Sequence, residues 1–184
     1  MRAHLLADFF HTLLPLAATE PDLPAIGGLL TELAADAAPF EEDIEKLPTD
    51  RFGGRLVHAT EEGPRLLIVH RPEGVMGAVH SHSVWVALAP LQGTETHRQW
   101  DVVDRTDDGT ARVALGEERR LERGDAVTLV PPLDVHSHGH VTGTGDPAYL
   151  LILSGDDQFR YERAEYDVGA GTWRPLAPGE TGTL

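Results

Sequence analysis

The sequence predicts an all-β domain, a sandwich or barrel, preceded by helices. Three observations carry this. After about residue 50, short apolar runs alternate with turn residues at close spacing. Before that point the apolar residues recur at the three–four spacing of a helix face. Of the 184 residues, 41% are hydrophobic, enough for one substantial core. The division expected is a helical segment over residues 1–50 that packs on a β-barrel over residues 51–184.

The helical segment comes first. Leu5, Leu6, Phe9, Phe10, Leu13 and Leu14 place an apolar face on residues 3–17, and Pro21 and Pro24 end it. Asp8 and His11 interrupt this stretch, so it reads as an amphipathic helix and not as a signal peptide. A second helix over about 24–36 carries Ile26, Leu29, Leu30 and Leu33, with Gly27 and Gly28 against it. A short third helix is expected in "FEEDIEKLPTD".

The strands follow. "RLVHA" (55–59) and "RLLIVHR" (65–71) flank a turn-like "TEEGP". "VWVALAPLQG" (84–93) and "ETHRQWDVV" (95–103) flank Gly93, and "TDDGT" (106–110) marks a hairpin before "ARVAL". Then come "AVTLVP" (126–131), "VHSHGHV" (135–141), a turn at 142–146 and "AYLLILS" (148–154). A last hairpin is expected around "GAG" (169–171), between "FRYERAEYDV" and "TWRPL".

Composition narrows the chemistry. There is no cysteine, which excludes disulfides, zinc–thiolate sites and cysteine nucleophiles, and agrees with a cytoplasmic home. The net charge of −15 would repel nucleic acid and anionic lipid, so neither is expected as a partner. No apolar run is long enough to cross a bilayer.

The histidines stand out. Five of the ten fall in two groups, His80 and His82, then His136, His138 and His140. Along a strand, residues i and i+2 share a face, about 7 Å apart. Two imidazoles so placed can close on one divalent metal, and a second strand can supply the next ligand. A lone HxH pair is usually a strand face turned to water. Two such groups in a β-rich chain, each preceded by glycine and a turn, point to metal instead.

At these residues the sequence resembles the cupin family. The first cupin motif reads here "PEGVMGAVHSHSVWVALAPLQG" and the second "GDAVTLVPPLDVH", together with the stretch between them covering about residues 72–142. The resemblance implies a double-stranded β-helix, or jelly-roll barrel, with His80, His82 and His136 as metal ligands inside it. Most metal-binding cupins add a glutamate a few residues after HxH. "SVWVALAPLQ" contains no acidic residue, and Glu95, beyond Gly93, is expected outside the site. Three neutral ligands leave the ion its full charge, which favours an anionic substrate.

Within cupins, the three-histidine pattern looks like the cysteine-dioxygenase-like branch, the thiol dioxygenases. That branch implies iron(II), a small anionic substrate and dioxygen. Nickel, manganese or zinc would instead suit a redox-neutral cupin enzyme, an isomerase or lyase, and a non-catalytic ligand-binding cupin is the third reading. Cysteine dioxygenases carry serine, histidine and tyrosine at alternate positions of the strand after the second motif. Leu150, Ile152 and Ser154 stand there in this sequence. Candidate catalytic groups are His138, His140 and Tyr149. Candidate substrate contacts are Arg55, as the carboxylate anchor, and Trp85. The resemblance also suggests pairing of two copies through their sheets.

Overall fold

The computed structural model describes residues 2–61, 63–143 and 147–180. Parts of the turns expected at 60–64 and 142–146 lie outside the described residues.

Among the described residues, eleven strands form two antiparallel sheets. The first has the order β1 (Gly53–Ala59), β2 (Arg65–Arg71), β9 (Ala148–Ser154), β4 (Val86–Gln92), β7 (Val127–Leu129). The second has the order β11 (Thr172–Leu176), β10 (Arg163–Asp167), β3 (Val79–His80), β8 (His136–His140), β5 (Glu95–Arg105), β6 (Ala111–Leu121). The chain crosses repeatedly between them, as β3 to β4 and β8 to β9 show, and this gives the double-stranded β-helix. Most of the expected strands form. β2 and β9 match their apolar runs residue for residue, whereas HxH is a strand only as far as His80.

The helices α1 (Arg2–Leu16), α2 (Leu23–Ala34) and α3 (Glu41–Ile44) precede the barrel. Asp22 caps α2 by accepting from the Ala25 amide at 3.1 Å, and Pro24 lies in its first turn, where no N–H is needed. Gly27 sits inside α2 because the helix touches β7 there. A Cβ at this position would meet Thr128 Cγ2 at 3.2 Å.

Strict alternation sorts the first sheet into two faces. Leu66 and Ile68 of β2, Ala87, Ala89 and Leu91 of β4, and Leu151 and Leu153 of β9 turn outward. They pack against Phe9, Leu13, Ile26 and Leu30 of the helices. Val69, Val86, Leu88 and Leu150 turn inward and fill one part of the barrel with Leu121, Val127 and Leu129. The inner face of the second sheet is polar, and the site lies there.

Candidate metal centre

His80 ends β3 and pairs directly with His136 of β8. Both rings therefore point to the same side of the sheet. His82 lies two residues further on, past the strand's end, and still turns inward because Ser81 turns outward. Ser81 donates its amide to the Ala164 carbonyl and accepts from the Ala164 amide on its hydroxyl. The chain then bends at Ser83, a non-glycine residue with φ of 65°. Such backbone is strained by about 1–3 kcal/mol and needs support. Asp134 gives it: one buried carboxylate oxygen accepts from the His82 amide at 2.6 Å and from the Ser83 amide at 3.3 Å. Asp134 is two residues before His136, so one segment supplies a ring and fixes the backbone of another.

The three rings form a nearly equilateral triangle, with centroids 4.7 Å (His80–His82), 4.8 Å (His80–His136) and 4.8 Å (His82–His136) apart. Their ligand atoms lie within 4.8 Å of one another. His80 Nε2 and His82 Nε2 are 3.2 Å apart. Two nitrogens bound to one ion at about 2.1 Å would sit about 3.0–3.4 Å apart, so this edge of the triangle already has a coordination spacing. His80 Nδ1 is 2.9 Å from the Ala78 carbonyl, which can only accept. The proton is therefore on Nδ1, and Nε2 presents a lone pair. His136 Nδ1 is 2.9 Å from His97 Nε2, and His136 Nε2 is buried with no hydrogen-bond partner. The donor set fits a divalent metal.

Burial also holds these rings neutral, the state that metal binding requires. Desolvation, offset in part by the Ala78 bond, pushes His80 down to about 4. Desolvation and then the neighbouring rings hold His82 and His136 well below the usual imidazole range. Desolvation, then His138, takes His97 to about 4.

A cavity of about 300 Å³ opens on this wall. His80, His82, His138, Arg163 and Glu165 line it from the second sheet's side, and Arg71 lines it from the first sheet beside Leu67, Val69 and Ile152. His136 is 1% exposed and does not line the cavity. His138 does, and its Nδ1 is 3.2 Å from Glu95 Oε2.

One expectation needs correction, and the structure places four candidate residues away from the cavity lining. Glu95 is not outside the site. The β5–β8 register sets it opposite His140, which turns it into the barrel, where it is 1% exposed. Arg55 does not reach the cavity. It stands opposite Ile68, on the helix side of the sheet, and its Nε donates to Asp43 at 2.6 Å. Trp85 and Tyr149 belong to the core under the helices, Tyr149 with its ring 5.1 Å from that of His70. His140 is buried and does not line the cavity.

The sequence reading missed Glu95, His97, Asp134, Arg71 and Arg163 as site residues. Glu95 and His97 share parity on β5, and Arg71 shares parity with Leu67 and Val69, so alternation was the available signal. Asp134 had none, since its role depends on a contact across 52 positions.

No family model matches the sequence, and neither does any curated protein. Among solved structures, the chain is similar to a protein with a double-stranded β-helix domain from Klebsiella pneumoniae (15% identity, 67% of this chain and 93% of that one, TM-score 0.49). It is similar to a cupin superfamily protein from Desulfitobacterium hafniense (9% identity, 61% and 84%, TM-score 0.42). It is similar also to the DMSP lyase DddQ from Ruegeria pomeroyi (18% identity, 72% and 54%, TM-score 0.43). The chain thus spans about half the length of that lyase. These likenesses concern the fold alone.

Proposed function

We propose that this chain is a metal-dependent enzyme of the cupin type, a non-haem iron(II) dioxygenase similar to the thiol dioxygenases, acting on a small anionic molecule in the cytoplasm. The observation that carries this reading is the triangle of three imidazoles, two of which line the cavity, with no carboxylate in the ligand set. Iron bound there would supply a redox-active centre with its full positive charge, able to receive substrate and dioxygen together.

The chain's own residues do the remaining work. Ala78 and His97 fix the rings of His80 and His136 by hydrogen bonds to their Nδ1 atoms. Asp134 holds the backbone that aims His82. His138 engages Glu95 through Nδ1, which leaves Nε2 as the atom that can hold or pass a proton in the cavity. Leu67, Val69 and Ile152 keep the opposite wall dry.

One observation favours a second reading, a redox-neutral lyase or isomerase. Leu150 and Ile152 occupy the inward positions of β9 where cysteine dioxygenases carry polar relay residues, so that relay has no counterpart here. The test is metal analysis of untagged protein, followed by oxygen uptake with a panel of small thiols. Iron with thiol-dependent uptake supports the dioxygenase. Zinc, nickel or manganese without uptake overturns it in favour of the second reading. Metal retained in full by His82→Ala overturns the site itself.

A further inference from the structure

We propose that Arg71 is the anion-binding residue of this cavity, and that the ligand carries a carboxylate that pairs with it. The proposal rests on the preceding reading for the histidines only.

Arg71 is the last residue of β2, 5% exposed, and lines the cavity. Its Nε and Nη1 are buried with no hydrogen-bond partner. No ion pair joins it to a carboxylate among the described residues. Glu95 acts on it electrostatically without contact, while desolvation lowers its pKa from the ordinary arginine value. Buried guanidinium groups are normally paired, because an unpaired buried charge is costly. This one lies on an aromatic face instead, 4.6 Å from the centroid of Phe52.

The backbone opposite is shaped around it. A Cβ at Gly77 would lie 2.5 Å from Arg71 Nη2 and 2.7 Å from Cζ, so a larger residue would displace the guanidinium. The Gly77 amide is tied to the His138 carbonyl at 2.9 Å, which fixes this cradle to the histidine strand. A buried cation held in a shaped cradle, stacked on one face and unpaired at Nε and Nη1, is set to receive an anion.

Arg163, the cavity's other guanidinium, differs. It donates to the Glu180 carbonyl and has Glu180, Glu165 and Asp157 near it. Arg71 is therefore the better anchor. A planar guanidinium is matched by a carboxylate. The volume of about 300 Å³ is at the lower end for ligand pockets, so the ligand is small.

The test is calorimetric titration of the full-length, metal-loaded protein with propionate and with propionamide, the uncharged isostere. Propionate should bind at least about tenfold more tightly than the amide. Arg71→Met should remove that preference, and Arg71→Lys should keep part of it. Metal content should be unchanged in both variants. Equal binding of acid and amide by the wild type, or a preference that survives Arg71→Met, overturns the proposal. If Arg71→Met fails to fold, the wild-type comparison and Arg71→Lys decide. Absence of metal binding to the wild type is a separate result. It would sink the metal reading, and propionate titration of the metal-free protein would still test Arg71.

Discussion

The outer face of the first sheet and the inner face of the second are built from the same alternation and use it oppositely. On the first, Leu66, Ile68, Leu151 and Leu153 meet helices, and any well-filled apolar packing would serve. On the second, His136, His138, Glu95 and His97 alternate inward, and each needs a partner at a defined atom. The lesson is that one face depends on volume and the other on orientation. Damage to the first should lower stability and spare the site, whereas damage to the second should do the reverse.

The sharpest break is His136→Ala or His82→Ala. Each should reduce bound metal from about one equivalent per chain to none by elemental analysis, with the far-ultraviolet spectrum unchanged. Leu151→Ala, on the opposite face, should lower unfolding free energy by about 2–5 kcal/mol in denaturant titration while metal affinity stays within about twofold. Asp134→Ala should fall between the two regions. It removes the acceptor for two amides, so metal affinity should fall about 10–100-fold and stability by about 1–3 kcal/mol.

Acid should act on the histidine face. Unfolded imidazoles take up protons near pH 6.5, whereas folded His80 and His97 do so near about 4. Between those values the unfolded chain binds more protons, so stability of the metal-free protein should decline as pH falls from about 6.5 toward 4. Thermal melts across that range would show it, and unchanged melting would break the argument. The smallest effect is expected from Arg98→Ala, which removes an exposed pair with Glu118 and should change stability by less than about 1 kcal/mol.

The contrast also explains what could be read from the sequence. Apolar runs announce themselves, so β2 and β9 were legible to the residue, as were the two histidine groups. Polar inward residues were not. "HR" at the end of β2 resembles a solvated strand end until Gly77 and Phe52 are seen around Arg71. Arg55 and Arg71 both lie on polar-ended strands. The pairing of Arg55 with Ile68 sends one to the helices, and inward parity with Val69 sends the other to the cavity. Glu95 was misplaced because a glycine boundary in a motif says nothing about which way the next strand faces. Pairing across strands settles that, and a single sequence does not contain it.

β3 is two residues long, and a single register pair joins it to β8. The middle of the six-stranded sheet is therefore its thinnest seam, and the triangle of rings straddles it. An ion gripped by both sides would act as a rivet there. Amide exchange at Val79–His82 should then slow on metal loading more than exchange anywhere in β4 or β9, which makes the seam a reporter of occupancy that needs no knowledge of the reaction.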